Sequence, residues 1–247
     1  MSTGSFRLDI EYDGSAFSGW AAQPGLRTVQ AELETALETV LRERVELTVA
    51  GRTDAGVHAL GQVASFATAV AVPADLARRL NGLTPDDVAV TVAGPAPPGF
   101  DARGDALSRS YRYRLLARAA PNPFERAQAL WWPHRVDREA LDACAAALVG
   151  THDFTAFTPT QTDHVRFERD VFAAGWDSEP GDVLVFRITA DAFMRNMVRV
   201  LVGTMLEVSS GRRTAESFAA LLNGAPRTAA GNTAPPHGLY LESVAYS

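Results

Sequence analysis

The sequence contains no lysine, so all 23 of its basic residues are arginines. Schiff-base chemistry, a pyridoxal phosphate anchor, the phosphate-binding lysine of P-loop proteins and the strand lysine of kinases all require a lysine amine. The absence excludes these four kinds of site. The chemistry of this chain must therefore depend mainly on Asp, Glu, His, Ser, Thr, Tyr or Arg.

Cysteine is nearly absent as well, and no long apolar run occurs. The single cysteine, Cys144, lies in an apolar helical pattern that predicts a buried structural thiol, and it excludes an internal disulfide framework and a Cys-based zinc cluster. No apolar run approaches ~18 residues, so we expect no membrane span. The first residues lack the basic-then-apolar pattern of a secretory signal. These features favour a cytoplasmic protein.

The histidines show no spacing typical of metal ligands, so we expect no metal site. The five histidines are scattered along the chain: His58, His134, His152, His164 and His237.

The net charge of −6 argues weakly against a nucleic-acid partner, but the charge is unevenly distributed. The segment Asp101–Arg118 is rich in arginine, and within it Arg109, Arg112 and Arg114 alternate with tyrosines. Such a strand could stack bases and bridge phosphates, which predicts a basic cleft for RNA. An edge strand guarded by charge is the alternative interpretation, and the residues alone do not choose between them.

The pattern of elements predicts an α+β fold with two subdomains, mostly antiparallel sheets, flanking helices and an active-site cleft between the subdomains. The Gly- and Pro-rich run at 94–99 is the best candidate linker, and we place the subdomains at residues 1–104 and 105–247. The elements that bear most on the site are a strand at 6–13, a helix from 29 to 41 capped by Thr28, strands at 45–50 and 61–67, a strand at 107–116, a helix from 193 to 208 and a final strand at 238–246.

The segment Gly51–Ala59, with the sequence GRTDAGVHA, is the most informative part of the chain. It predicts a short glycine-flanked connection between two strands, which is a suitable place for a reactive side chain. Asp54 is the natural nucleophile or base, and it needs a nearby cation to stay ionised in a closed site. Arg52, Arg195 and Arg199 are candidates. An ordinary Asp/Gly turn is the plain alternative. His58 is either an acid–base partner or a hydrogen-bonded loop histidine.

The chain as a whole resembles the tRNA pseudouridine synthase A family. The resemblance includes GRTDAGVHA and extends over nearly the whole length. Its other motifs are Glu11–Gly14, Phe17–Trp20 with Gln23, Thr28–Gln30 with Leu33 and Glu34, Phe100–Arg103, Arg109–Tyr113, His152–Phe154, Asn196–Arg199 and Gly238–Leu241.

This resemblance implies the isomerisation of uridine to pseudouridine at positions 38, 39 and 40 in the anticodon stem-loop of tRNA, without cofactor or metal, by a homodimer. It implies that Asp54 is the catalytic nucleophile and that Arg199 pairs with the aspartate. It also implies that Tyr111 packs on the target base and can accept the C5 proton. Arg52 would fill the space left by the flipped nucleotide. The aliphatic wall of the pocket would be Leu239 or Leu241. Arg109 and Arg112, from the arginine-rich strand, are the other predicted substrate-binding residues.

The residues leave two other functions open. A non-catalytic RNA-binding module would use the Tyr111–Arg114 strand and would tolerate Asp54→Asn. An Asp-dependent glycosidase or nucleoside hydrolase would need a second carboxylate as general acid, and no acid near Asp54 in sequence is an obvious partner. The sequence also departs from the family: Asp101 stands where histidine is common, Arg195 has no assigned role, and the segment Thr158–His164 matches no motif.

Overall fold

The structure, a computed structural model, describes residues 3–162 and 165–247. Asp163 and His164, which end the segment without a motif, lie outside the described residues. The strands are β1 (Gly4–Tyr12), β2 (Thr48–Val49), β3 (His58–Thr68), β4 (Val88–Pro95), β5 (Ser108–Leu116), β6 (Leu130–Trp131), β7 (Gly150–Asp153), β8 (Glu168–Glu179), β9 (Val183–Ala190) and β10 (Leu239–Ala245). The helices are α1 (Val29–Leu41), α2 (Leu76–Asn81), α3 (Arg138–Ala147), α4 (Met197–Ser209) and α5 (Ala215–Ala220).

The chain divides into two compact units. The first unit holds the residues up to Leu107 together with Tyr240–Ser247, and the second unit holds Ser108–Leu239. The last strand, which we assigned to the second subdomain from the sequence, groups with the first unit because β10 pairs with β3. No helix in the described ranges is long and apolar enough to cross a membrane.

The first unit is built on strands in the order β4, β1, β3 and β10, with β2 also paired to β3. The pairs β1–β3, β1–β4 and β2–β3 are antiparallel, whereas β10 runs parallel to β3. Helix α1 lies against α2, and its apolar stripe is buried at Val29, Leu33, Leu37 and Leu41. The stripe follows the helical period that the sequence predicts.

The second unit is built on strands in the order β5, β9, β8 and β7, all antiparallel, with β6 parallel to β5. Helix α3 packs on β8, α4 and α5. Cys144 is fully buried in α3, as the sequence predicts. Tyr111, Tyr113 and Leu115 share the buried face of β5, which confirms the predicted alternation. Both units mix mostly antiparallel strands with flanking helices, and the α+β prediction is confirmed.

Several predicted boundaries are wrong. The strand expected at 45–50 is reduced to β2, because only Thr48 and Val49 pair with β3. The expected linker is strand as far as Pro95, which pairs with Phe6 of β1. The helix expected from residue 193 begins only at Met197.

Thr28 occupies the predicted cap position of α1, but its side chain makes no capping hydrogen bond. The residue has the extended conformation of an N-cap, and its backbone carbonyl accepts a bond from the N–H of Glu32. The sequence therefore predicted the position of the N-cap residue correctly, but the predicted side-chain capping bond does not form. The rotamer of a side chain depends on its neighbours as well as on its place in the chain.

Candidate active site

Asp54 lies on the connection between β2 and β3, as the sequence predicts. We call the segment Gly51–Val57 the aspartate loop. Exposure alternates along it: Arg52 is exposed, Thr53 is buried and Asp54 is half-buried. This alternation is typical of extended backbone, in which successive side chains point to opposite sides. Arg52 and Asp54 therefore lie on the opposite side of the loop from Thr53.

A buried polar network holds the inner side of the aspartate loop. The Tyr12 hydroxyl lies 2.7 Å from Oγ1 of Thr53, and Nε2 of Gln62 donates to the Tyr12 oxygen at 3.2 Å. The same Gln62 nitrogen donates to the carbonyl of Gly51 at 2.7 Å. Gln62 is fully buried, and Tyr12 and Thr53 are nearly so. Buried polar groups of this kind are costly to leave unpaired, so the network fixes the loop strongly.

Close backbone packing holds the loop from its other end. The amide of Trp20 donates to the Thr53 carbonyl at 3.0 Å, and Gly56 donates to the Phe17 carbonyl. A Cβ on Gly14 would lie 2.0 Å from the carbonyl oxygen of Val57, so only glycine fits at that position. Gly56 itself has φ of +77°, which also favours glycine. These contacts hold the aspartate loop in one conformation, so it is not a mobile turn.

His58 has a structural role next to the aspartate loop. Its side chain is buried and stacks on the ring of Tyr240 with centroids 4.5 Å apart. Its Nδ1 accepts the N–H of Gly14 at 3.1 Å and lies 3.2 Å from the Asp13 carboxylate. Burial works to raise the pKa of Asp13, but the hydrogen bonds that Ser15 donates, together with the neighbouring His58 ring, outweigh it and hold that pKa below its ordinary value. The geometry favours the hydrogen-bonded loop histidine over the acid–base partner.

Tyr111 is the aromatic candidate in the second unit. It sits on β5 opposite Ile188 of β9 and is only 8% exposed. The ring of Phe193 meets it edge-on, with centroids 4.9 Å apart and an interplanar angle of 73°. Such edge-to-face packing fixes the plane of the Tyr111 ring.

Arg199 is held by polar contacts at the start of α4. Its Nε donates to the carbonyl of Ala234 at 2.7 Å, and one terminal nitrogen donates to Oδ1 of Asn196 at 2.9 Å. Asn196 is the N-cap of the helix and has φ of 61°. Asparagine tolerates this left-handed conformation better than most residues. The left-handed turn also explains why α4 begins late and leaves Arg195 outside the helix.

The segment Asn232–Gly238 connects Arg199 with β5 inside the second unit. Pro235 accepts the Tyr113 hydroxyl at 2.9 Å, one residue after the carbonyl that receives Arg199. A Cβ on Gly203 would lie 1.8 Å from the carbonyl oxygen of Asn232, so the segment packs directly on helix α4. Burial raises the pKa of Tyr113, and the Arg199 cation only partly opposes the shift.

The arginines of β5 differ in the contacts that their side chains make. Arg109 donates to the carbonyl of Asp191 at 2.9 Å. Arg112 is half-buried opposite Arg187 of β9. Arg114 forms ion pairs with Glu125 and Glu179, at 2.5 and 3.3 Å. Part of the positive charge that the sequence suggested for an RNA surface is therefore neutralised by the fold.

The two leucines proposed as the pocket wall are buried on β10. Leu239 is 6% exposed and belongs to the second unit, and Leu241 is fully buried in the first unit beside Ala59 of β3. The first unit thus contains Arg52, Asp54 and Leu241, and the second unit contains Tyr111, Arg109, Arg112, Arg199 and Leu239.

No group of three or more His, Cys, Asp or Glu residues within 3–162 and 165–247 is arranged to hold a metal ion. Sequence reasoning also missed the supporting residues Tyr12, Thr53, Gln62 and Asn196. All of them except Gln62 lie in motifs of the family resemblance, but their partners are set by the tertiary structure.

The family described as tRNA pseudouridine synthase matches residues 10–103 and 144–247 of the chain. The chain belongs to this family. It is 47% identical over 243 residues to tRNA pseudouridine synthase A of Frankia casuarinae, which covers 97% of this chain and 88% of that protein. It is 41% identical to the protein of the same name from Bacillus subtilis, over 97% of this chain and 98% of that protein. The Streptomyces griseus relative is 46% identical, over 97% of this chain and 87% of that protein.

Family membership confirms the resemblance and makes the chain an enzyme of the isomerase class that forms pseudouridine from uridine in tRNA. Among solved structures, a chain of a Cbf5–Nop10–Gar1 complex is similar at 10% identity with a TM-score of 0.34, over 82% of this chain and 54% of that chain. That likeness is too weak to carry an inference.

Proposed function

We propose that this enzyme modifies uridines 38, 39 and 40 in the anticodon stem-loop of tRNA, with Asp54 as its catalytic nucleophile. The observation that supports this most is the position of Asp54: a half-buried carboxylate on a loop fixed by buried hydrogen bonds. Three routes are open to an aspartate here: attack at C1′, attack at C6 and removal of a ribose proton. Each of them requires the ionised carboxylate.

The target uridine has to leave the base stack before Asp54 can reach it, because a stacked nucleotide shields its ribose and ring. We assign Arg52 to the space that the flipped nucleotide leaves. The exposure of Arg52, two residues from Asp54, supports this role. Its guanidinium makes no hydrogen bond or ion pair with the described residues, so no internal contact has to break when RNA binds.

The reaction then breaks the bond between N1 and C1′, turns the uracil and joins C5 to C1′. C5 loses its proton and N1 gains one, so the product is an isomer of the substrate. We assign Tyr111 to the face of the uracil and to acceptance of the C5 proton, a role that the edge-on support of Phe193 would help by fixing the ring plane. We assign Leu239 or Leu241 to the apolar wall that keeps the detached base from escaping to water.

Arg199 is the cationic partner of Asp54 in this proposal, as the family resemblance implies. Its guanidinium is held by Ala234 and Asn196, which supports a fixed orientation. Arg109 and Arg112 contact RNA phosphates, a task suited to the planar guanidinium group. We further propose that the enzyme is a homodimer in the cytoplasm, as the family resemblance implies.

Mapping the product by position tests the proposed function. Purified protein, with no metal added, is incubated with unmodified tRNA transcripts, and pseudouridine is located along each transcript. We expect pseudouridine at 38, 39 and 40, and its loss when those uridines are replaced by cytidines. Pseudouridine at other positions only would overturn the assigned site. Release of free uracil would indicate a glycosidase instead.

A further inference from the structure

We propose that Tyr12 is a positioning residue for Asp54, acting through a directional chain of hydrogen bonds from Gln62 to Tyr12 to Thr53. The inference rests on the proposed function, because it assumes that Asp54 carries the reaction. The three residues lie in the first unit and are buried together. None of them is assigned to contact the substrate.

The direction of the hydrogen bonds follows from the chemistry of the groups. The Gly51 carbonyl can only accept, so the Gln62 amide nitrogen and not its oxygen faces Gly51 at 2.7 Å. The Gln62 oxygen correspondingly accepts the N–H of Val63. The second N–H of Gln62 therefore points to the Tyr12 oxygen at 3.2 Å.

Tyr12 then has one proton left to give. Its oxygen accepts from Gln62, and the only other polar atom that the described residues place at hydrogen-bond distance is Oγ1 of Thr53 at 2.7 Å, so we assign the phenol proton to Thr53. Burial raises the pKa of Tyr12 to about 12, although its bonds to Thr53 and Gln62 act in the opposite direction. The phenol is consequently neutral, and able to donate its proton in a hydrogen bond, at the near-neutral pH of a tRNA modification assay.

The network forms hydrogen bonds with the aspartate loop at two points, one on each side of Arg52. One point is the backbone of Gly51, and the other is the side chain of Thr53, the residue directly before Asp54. Loss of the hydrogen bond between Tyr12 and the Thr53 side chain leaves Thr53 held through its backbone alone, where its carbonyl accepts the N–H of Trp20. The loop would still fold, but the direction of the Asp54 side chain would be less well fixed.

A purely structural role predicts something different. The Tyr12 ring also packs near Trp20, with centroids 6.1 Å apart, and that packing survives in Tyr12→Phe. A phenylalanine variant removes the hydroxyl while keeping the ring. Any selective loss of turnover in this variant thus reports the hydrogen bond and not the aromatic packing.

The test is a double-mutant cycle on Tyr12→Phe and Thr53→Val, with kcat, KM, tRNA affinity and thermal unfolding measured for each variant. We expect kcat to fall on the order of 10- to 100-fold in either single variant, since small displacements of a reacting group cost about that much. KM and tRNA affinity should stay within about twofold of the unaltered enzyme. The double variant should lose no more than the worse single variant, because both break one chain of bonds.

Two further variants complete the design. Thr53→Ser keeps the hydroxyl and should restore most of the turnover lost in Thr53→Val. Tyr246→Phe is the matched control, since it removes another tyrosine hydroxyl of the first unit, one that donates to Ala102 at 2.6 Å. The control should lose comparable stability and leave kcat unchanged.

The inference is overturned if Tyr12→Phe keeps a normal kcat, if the two single losses multiply in the double variant, or if Tyr246→Phe loses as much turnover. Asp54→Asn, assayed in the same series, separates this failure from failure of the proposed function. An inactive Asp54→Asn beside a fully active Tyr12→Phe removes the positioning role alone. Turnover retained in Asp54→Asn removes both.

Discussion

The two units present their candidate residues in different ways. In the first unit Asp54 lies on a loop without regular structure, fixed by side chains from β1 and β3 and by glycine contacts. In the second unit Tyr111 lies on a strand and Arg199 on a helix, so regular backbone hydrogen bonds place them. The first arrangement depends on a few buried polar groups, and the second depends mainly on secondary structure.

This difference indicates where each unit is vulnerable. A loop residue can be aimed in directions that a strand or helix does not offer, but its orientation depends on specific partners. A residue on a regular element is harder to misplace, because many backbone bonds share the task. We therefore expect single side-chain deletions to act more selectively on the first unit, and backbone changes to act on both.

The largest effects should come from the two glycines at backbone contacts, one in each unit. A Cβ at Gly14 would meet Val57 and a Cβ at Gly203 would meet Asn232, both at backbone carbonyls that cannot move aside alone. Gly14→Ala and Gly203→Ala should each lower the free energy of unfolding by about 3 kcal/mol or more. Urea denaturation of each variant measures the loss.

Gly94→Ala is the control for both, because nothing lies within 4 Å of the position its Cβ would take. That variant should unfold within about 0.5 kcal/mol of the unaltered protein. If Gly14→Ala were equally harmless, the aspartate loop would be looser than its contacts indicate, and the contrast between the units would fail.

The next effect concerns Asn196, which combines a left-handed backbone with a hydrogen bond to Arg199. Asn196→Gly keeps the backbone conformation and loses the bond, so we expect kcat/KM to fall about tenfold with little change in stability. Asn196→Ala should show the same kinetic loss and about 1 kcal/mol of additional destabilisation. Steady-state kinetics and urea unfolding of the pair separate the two contributions.

Equal stability of the glycine and alanine variants would mean that residue 196 does not need its left-handed conformation. Unchanged kcat/KM in both would mean that Arg199 does not depend on the Asn196 amide. The second result would remove the Asn196 side chain as a support of Arg199.

Alkaline pH should expose the buried titratable groups of both units. Burial raises the pKa of Tyr12 in the first unit to about 12 and the pKa of Cys144 in the second to about 11. These groups lose their protons at a lower pH in the unfolded chain than in the folded protein. Their contribution to the free energy of unfolding is therefore fully present below about pH 9 and decreases as the pH rises toward 12. The absence of lysine removes one class of side chain that titrates in this range, whereas Tyr113, whose pKa burial also raises, adds to the loss of stability in the second unit.

Tyr12→Phe should therefore reduce the loss of stability between pH 9 and 12, by on the order of 3 kcal/mol for a shift of two units. Urea unfolding at several pH values measures it. An unchanged pH dependence in Tyr12→Phe would contradict the burial of its hydroxyl.

The smallest effect should be on the salt dependence of tRNA binding. Arg52 is exposed, whereas Arg114 is held by Glu125 and Glu179. Removing a phosphate contact lowers the slope of log affinity against log salt by about one. Arg52→Gln should show a reduction of this kind, because in the proposed role the positive charge of its guanidinium enters the RNA. Arg114→Gln should leave the slope unchanged, and a larger change for Arg114 would reverse the assignment.

Much of the fold could be predicted from the sequence, because local periodicity determines much of it. The buried stripe of α1 and the alternating face of β5 follow directly from residue spacing. The position of Asp54 between two strands was predicted in the same way, from glycines that flank a carboxylate. The parallel pairing of β10 with β3 was not, because it joins residues far apart in the chain.

The supports of the site could not be predicted for the same reason. Tyr12 meets Thr53 across 41 positions and Gln62 across 50, and no local pattern marks such a pairing. The left-handed conformation of Asn196 was also missed, since the apolar period runs on through it and favours an unbroken helix. Local patterns identified the reactive residues, and the tertiary structure supplied the residues that hold them.

Replacing one oxygen of Asp54 by nitrogen tests the central claim most directly. Asp54→Asn keeps the size and polarity of the side chain and removes its charge. We expect it to bind tRNA with an affinity close to that of the unaltered enzyme and to form no pseudouridine at positions 38, 39 and 40. Pseudouridine formed there at a comparable rate by Asp54→Asn would contradict the account.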